Sequence, residues 1–215
     1  MKGDRIIIGD DMRRVAGVIA DHLLPALPDP PRRLAIAVAG ESGSGKSAAA
    51  RALAEALDER GAPAGVFQQD DYFVLPPKTN DARRRRDIAW VGPQEVRLDL
   101  LGQHVREVRA GAAELERPLV DYAADRIGTQ TESLEGIRVV IAEGTYTMLL
   151  PDVDSRVFIA RTWLDTVGQR RQRGRELPDP FLDEVLAIEH RIIAAQGSRA
   201  NIVITREFDV GFRAM

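Results

Sequence analysis

The sequence predicts an α/β fold with a five-stranded parallel sheet flanked by helices. Two observations carry this prediction. Five short apolar runs alternate with helical stretches, as expected when helical crossovers connect strands that are buried on both faces. A glycine-rich signature also follows the first run, where a strand must turn into a helix. The five runs are residues 34–39, 65–69, 137–142, 156–160 and 201–205.

The composition excludes several classes of protein. With 215 residues and 44% hydrophobic content, the chain is expected to form one domain, or one domain with a small lid. A net charge of −3 gives no electrostatic case for a nucleic-acid or membrane partner, and the absence of cysteine excludes disulfides and thiolate sites. No run has the length of a membrane span, and residues 1–11 lack a signal-peptide layout. We therefore expect a cytoplasmic protein with a small-molecule partner; a homo-oligomer is compatible with the sequence.

Residues 1–33 are predicted to be an N-terminal extension with a helix from about Met12 to Leu24, closed by a proline-rich linker at residues 28–31. Val15, Val18, Ile19 and Leu23 share one face of this helix. That face is expected to pack on the main domain, residues 34–215, rather than to recruit a partner.

The glycine-rich signature predicts a phosphate-binding loop. Its backbone N–H groups and the positive end of the following helix form a pocket for a β-phosphate. Lys46 is placed to neutralise the β- and γ-phosphates, and the Ser47 hydroxyl can bind Mg²⁺. ATP and Mg²⁺ are the expected cofactors. The candidate nucleotide-binding residues are Gly40, Ser42, Gly43, Ser44, Gly45, Lys46, Ser47 and Ala48.

The middle of the chain gives weaker signals. Residues 76–86, with four consecutive arginines from Arg83 to Arg86, have no apolar periodicity and are predicted to form a solvated basic loop. Binding of an anionic substrate by this arginine run is the alternative. Pro93 is predicted to open a helix. In residues 118–134, apolar and polar side chains alternate weakly, which favours a hairpin or a lid-like excursion. The core stripe of the predicted helix is Val96, Leu100, Leu101, Val105 and Val108.

Carboxylates follow two of the predicted strands. Asp70 and Asp71 end the second run, and Glu143 follows the third. The carboxyl ends of parallel strands meet at one edge of the sheet, so these side chains are expected beside the phosphate-binding loop. Glu143 is a candidate for holding the metal, and one aspartate can accept the proton of a substrate hydroxyl while the other caps the loop. Simple turn and strand-capping roles remain the alternatives.

Four arginines occur between residues 170 and 175, near the end of a predicted helix. Arg170 and Arg173 share a helix face and can close over the transferring phosphate as a short lid, since planar guanidinium groups suit phosphate. An exposed basic helix is the alternative. Trp90 is a candidate for stacking on a substrate ring, with simple packing as its alternative. The three histidines are isolated in the sequence, which argues against a histidine metal site.

The order of these motifs, over roughly residues 34–210, resembles the phosphoribulokinase and uridine kinase family of P-loop kinases. The resemblance rests on Gln69-Asp70-Asp71-Tyr72-Phe73, Val140-Ile141-Ala142-Glu143-Gly144, Asp165 with Arg170-Arg171, and Ala200-Asn201-Ile202-Val203-Ile204. It implies a P-loop NTPase fold, Asp70 as catalytic base, and Ser47 and Glu143 as the residues that serve Mg²⁺. It also implies that arginines of a lid at about residues 166–179 contact the ATP phosphates, and that Tyr72 and Phe73 flank the acceptor.

The segment on the acceptor side, residues 70–134, departs from the uridine kinase pattern. Residues 118–125 lack the tyrosine that uridine kinases have two positions after the proline, and they lack the histidine that recognises the base. Residues 90–93 lack the aspartate that would hold a ribose. Asp71, Tyr72, Phe73, Trp90 and Tyr122 are the candidate substrate-binding residues. The expected activity is ATP-dependent phosphorylation of a hydroxyl on a small metabolite. A nucleotide-dependent regulatory switch and a toxin-like kinase of a sugar nucleotide are the alternatives.

Overall fold

A computed structural model describes residues 6–166 and 179–213. Its helices are α1 (Asp10–Leu23), α2 (Lys46–Asp58), α3 (Pro77–Arg86), α4 (Leu98–Arg109) and α5 (Pro180–Ala194). Its strands are β1 (Leu34–Gly40), β2 (Ala64–Gln68), β3 (Glu114–Asp121), β4 (Arg126–Ser133), β5 (Val139–Glu143), β6 (Ser155–Ile159), β7 (Ile202–Ile204) and β8 (Val210–Phe212). No described helix is long and apolar enough to cross a membrane.

The main sheet has the strand order β2-β5-β1-β6-β7-β8. The first five strands in this order are parallel, which confirms the predicted five-stranded parallel sheet. β1 is central, and all seven of its residues are buried. The sixth strand, β8, pairs antiparallel with β7 and was not predicted. It is three residues long and mostly exposed, so it carries no buried-strand pattern.

Helix α1 packs against α2 and belongs to the main hydrophobic core. Val15, Ile19 and Leu23 are buried there, as the apolar spacing predicts. The prediction is wrong for Val18, which is 42% exposed, because it lies at the rim of the apolar stripe. Any boundary between an extension and a main domain at residue 33 stays a prediction.

The segment between β2 and β5 differs most from the prediction. Residues 77–86 form helix α3 rather than a loop. Pro93 opens only a single 3₁₀ turn, Pro93–Glu95, and the following α-helix begins at Leu98. The predicted hairpin is present as β3 and β4, a separate antiparallel pair that starts earlier, at Glu114. Apolar periodicity fails for α3 because its residues are almost all polar and only Asn80 is buried.

Candidate active site

The phosphate-binding loop connects β1 to α2 at the carboxyl end of the sheet. Gly43 and Gly45 have φ angles of 78° and 102°, in the left-handed region that favours glycine. Gly40 packs closely on its surroundings, since a Cβ there would lie 2.7 Å from Ser44 Oγ and 3.1 Å from the carbonyl oxygen of Ile159. The glycines therefore let the loop fold tightly between β1, β6 and the start of α2.

Two polar side chains at the start of α2 are held in place at the loop. Lys46 Nζ donates to the carbonyl oxygen of Glu41 at 3.1 Å. Ser47 Oγ donates to Glu143 Oε1 at 3.1 Å, which joins the loop to the end of β5. The structure thus brings together Lys46, Ser47 and Glu143, as their positions after strands predict.

Glu143 is an almost completely buried carboxylate, 4% exposed. Burial raises its pKa to about 7, and the negative charge of Asp70 acts in the same direction. A carboxylate and a hydroxyl are the hard oxygen donors that Mg²⁺ prefers, and a divalent cation would offset the cost of burying this charge. The residues present therefore fit a magnesium ion.

A cavity of about 340 Å³ opens beside the loop. Ser42, Lys46 and Ser47 line it from the loop, Glu143 lines it from β5, and Asp70 lines it from the 3₁₀ turn after β2. Three segments that are remote in sequence therefore meet in one crevice at the carboxyl end of the sheet. This is where open parallel sheets bind their ligands.

Close packing between two strand ends explains the Glu-Gly pair at residues 143 and 144. A Cβ on Gly144 would overlap Cβ of Gln69, so only glycine fits beside that side chain. Gln69 in turn accepts a hydrogen bond from the backbone N–H of Tyr146 at 2.7 Å. The contact fixes the position of β5 relative to the turn that carries Asp70.

The predicted substrate residues separate into two groups. Phe73 and Tyr122 line the cavity. Asp71, Tyr72 and Trp90 do not, so the structure does not bring these three to the site.

Each of these three side chains is held by the protein itself. Asp71 is buried, and it accepts a hydrogen bond from the backbone N–H of Val120 at 3.0 Å, which fastens the hairpin to the sheet. The Tyr72 hydroxyl is buried and hydrogen-bonded to His104 at 2.9 Å. Trp90 Nε1 donates to Asn80 Oδ1 at 2.8 Å.

The sequence did not predict the far wall of the cavity. Its polar members come from α3 and α5, and its apolar members come mainly from α5. Arg84 was predicted to lie in a solvated loop, but its guanidinium donates to both oxygens of Glu95, at 2.5 and 3.0 Å, and to Glu189 at 3.2 Å. No local sequence pattern marks the residues of this far wall. They are Asn80, Asp81, Arg84, Leu182, Val185, Leu186 and Glu189.

The model of the "Phosphoribulokinase / Uridine kinase family" matches residues 35–165. The chain belongs to this family. The protein is therefore a kinase of a small metabolite, and the fold predicted from its motifs is confirmed.

Individual proteins resemble the kinase over most of its length. A uridine kinase from Leuconostoc citreum is 24% identical over 183 residues, covering 80% of this chain and 86% of the relative. A proposed fructose transport system kinase from Silicibacter has a TM-score of 0.63 at 21% identity, covering 86% of this chain and 94% of that one. A possible uridine kinase from Bacillus stearothermophilus has a TM-score of 0.60, also at 21% identity, with 90% and 98% coverage. The two structures show the fold.

Glu41 is a further functional candidate that the sequence did not single out. Although it lies inside the glycine-rich loop, its carboxylate is buried and does not line the cavity. It accepts hydrogen bonds from the backbone N–H of Trp163 at 2.8 Å and from the His190 ring at 2.7 Å. Glu41 thereby ties the loop of the kinase to α5 and to the chain just before residue 167.

Two predicted catalytic residues cannot be placed. Arg170 and Arg173 lie outside the described residues, as does the lid apart from its first and last positions, Thr166 and Asp179. Ala48 follows Ser47 in the first turn of α2, where the sequence placed it.

Proposed function

We propose that the kinase transfers the γ-phosphate of ATP to a hydroxyl group of its substrate, with Mg²⁺ bound at Ser47 and Glu143 and with Asp70 as the base. The observation that supports this most strongly is the meeting of Lys46, Ser47, Glu143 and Asp70 in one cavity. Phosphoryl transfer needs charge neutralisation, a divalent metal and a group that orients the acceptor. The cavity holds a candidate for each.

The loop and Lys46 would hold the triphosphate. The N-terminus of α2 lies at the cavity, and the backbone N–H groups of a helix N-terminus favour negative charge. Lys46 adds a positive charge that stabilises the γ-phosphate as its charge is redistributed during transfer. Bound Mg²⁺ would supply further neutralisation of the phosphate oxygens. Ser47 and Glu143, already hydrogen-bonded to each other, are the oxygen donors placed to hold the ion.

Asp70 would orient the acceptor hydroxyl and take its proton. Its side chain is exposed to the cavity, whereas that of Asp71 is buried and bonded to the hairpin. Of the two consecutive aspartates, only Asp70 can therefore reach a substrate. A carboxylate within hydrogen-bond reach of the attacking hydroxyl makes that oxygen a better nucleophile as the bond to phosphorus forms.

Replacing each aspartate in turn tests this assignment. Asp70→Asn should lower acceptor phosphorylation at least about a hundredfold, the lower end of the range for a general base. It should leave the midpoint of urea unfolding and the binding of ATP close to wild type. Asp71→Asn is the matched control: it should lower the unfolding midpoint, because it weakens the bonds to Val120 and Arg117.

If Asp70→Asn keeps wild-type turnover, Asp70 is not the base. ATP hydrolysis that no small hydroxyl compound stimulates, but that a protein partner does, would instead favour a regulatory switch.

A further inference from the structure

The part of the cavity beyond the phosphate-binding loop carries an excess of negative charge. Its ionisable side chains, among the described residues, are Asp70 from the turn after β2, Asp81 and Arg84 from α3, and Glu189 from α5. Three carboxylates thus face one guanidinium. Lys46, the other cation of the cavity, lies at the loop and serves the triphosphate. This part of the cavity is the space left for the acceptor.

The Arg84 guanidinium is already neutralised by the protein. It donates from Nε and Nη2 to the two oxygens of Glu95, a fully buried side chain, and from Nη2 to Glu189 as well. Two carboxylates therefore share one positive charge. Among the described residues, Arg84 Nη1 takes part in no hydrogen bond and can donate to a neutral oxygen, but Arg84 adds no net positive charge that would attract an anionic acceptor.

Glu189 retains an unused acceptor atom. The residue is 8% exposed, and only its Oε1 takes a hydrogen bond from the described residues, from Arg84. Oε2 takes none from them. Because Glu189 lines the cavity, a bound molecule that presents an O–H group there would donate to this oxygen. Asp81 lines the same wall; its Oδ2 accepts from Arg85 Nε at 2.8 Å, and its Oδ1 takes no hydrogen bond from the described residues.

Apolar side chains complete the wall around these polar groups. Phe73, Val120, Tyr122 and Leu182 line the cavity and can cover the C–H faces of a ring. The whole cavity is about 340 Å³, near the lower end of ligand sites, and it must also admit the γ-phosphate. The acceptor is therefore small, with both hydroxyl groups and apolar faces.

Resting on the proposed function, we infer that the acceptor is an uncharged polyhydroxylated molecule, a sugar or a nucleoside, whose hydroxyls donate to Asp81 and Glu189. A carboxylate or phosphate group on the acceptor would meet these two side chains and Asp70 instead of an unneutralised cation. Asp81 and Glu189 then act as specificity residues that disfavour anionic acceptors.

Matched pairs of acceptors that differ by one anionic group test the inference. The full chain is assayed with Mg²⁺ and ATP for ADP release and phosphorylated product. The pairs are glycerol and glycerate, pantothenol and pantothenate, fructose and fructose 6-phosphate, ribose and ribose 5-phosphate, and uridine and uridine 5′-monophosphate. We expect the best acceptor to be a neutral member with kcat/KM at least about tenfold above its anionic partner. Comparing the turnover of fructose and ribose with that of uridine shows whether the acceptor is a sugar or a nucleoside.

Two isosteric variants test the assigned residues. Glu189→Gln keeps an oxygen for Arg84, and Asp81→Asn changes an exposed side chain; each should raise KM for the acceptor about tenfold while raising KM for ATP far less. Both variants should bring the kcat/KM values for neutral and anionic acceptors closer together. Asp58→Asn, an exposed carboxylate at the end of α2 outside the cavity, is the control and should leave the ratio of these values unchanged.

Preference for an anionic member of any pair, or turnover of no neutral compound in the panel, overturns the inference. In the first case the proposed kinase activity stands, because phosphate still reaches a hydroxyl. Loss of turnover in Asp70→Asn tests that activity separately. A neutral acceptor whose KM is unchanged in both Glu189→Gln and Asp81→Asn would contradict their assigned role.

Discussion

Removing the carboxylate of Glu95 should destabilise the kinase strongly. This side chain is 0% exposed and accepts four hydrogen bonds. Arg84 donates two at 2.5 and 3.0 Å, Asn80 Nδ2 donates one at 2.5 Å, and the backbone N–H of Gly92 donates one at 2.7 Å. Glu95→Leu keeps a similar side-chain volume but leaves all of these donors without their acceptor.

The size of the effect follows from the partners left behind. Removing one member of a buried ion pair costs about 3–5 kcal/mol, because the other charge stays buried. Glu189 still pairs with Arg84 and offsets part of this cost, whereas the Asn80 amide and the Gly92 N–H each add about 1 kcal/mol. We expect Glu95→Leu to lower the free energy of unfolding by about 4 kcal/mol.

Equilibrium unfolding in urea measures this loss. Glu116→Leu, at an exposed carboxylate in β3, is the control and should change the free energy of unfolding by less than about 0.5 kcal/mol. The double variant Glu95→Leu with Arg84→Met should lose less than the sum of the two single losses, because neither charge of this pair is then left alone. Part of the loss remains, since Asn80 and Gly92 still lack their acceptor and Glu189 loses a donor. A loss below about 1 kcal/mol in Glu95→Leu, or a double variant as unstable as the sum of the singles, would refute the reasoning.

Three further predictions concern single residues. Tyr72→Phe should cost about 1 kcal/mol of stability in urea unfolding and leave KM for the acceptor unchanged, since the hydroxyl bonds His104 in the core; a raised KM would contradict this. Gly144→Ala should cost at least about 2 kcal/mol because its methyl group overlaps Gln69, and a wild-type midpoint would show that the contact can relax. For Glu143→Gln, the comparison is the free energy of unfolding of the metal-free wild type minus that of the variant. This difference should fall as pH rises from about 4.5 to 7, because Glu143 keeps its proton in the folded state after the unfolded chain has lost it. A difference that does not change with pH would show that burial does not raise the pKa of Glu143.

The phosphate-binding loop and the strand ends could be predicted because their signals are local. Glycines at positive φ, a lysine and a serine must follow β1 in a fixed order, and the acidic residues lie at the end of β5 or just after the end of β2. The fold class depends on the same short apolar runs. None of these inferences needs a contact between remote residues.

The far wall of the site could not be predicted because it depends on remote contacts. Arg84 meets Glu189, 105 positions away, and nothing in the arginine run distinguishes this residue from its exposed neighbours. Tyr72 shows the opposite error: motif resemblance places it beside the acceptor, but the turn after β2 directs its ring into the core. Only the tertiary structure decides which side of a short turn faces the ligand.

The structure of the kinase with Mg²⁺ and a non-hydrolysable ATP analogue would test the central claim most directly. We predict the metal within about 2.1 Å of Ser47 Oγ, on the Glu143 side of the cavity, with the γ-phosphate between Lys46 and Asp70. Glu143 should bind the metal directly or through water. A metal bound away from Ser47 and Glu143, or a γ-phosphate that points away from Asp70, would contradict the proposed phosphotransfer site.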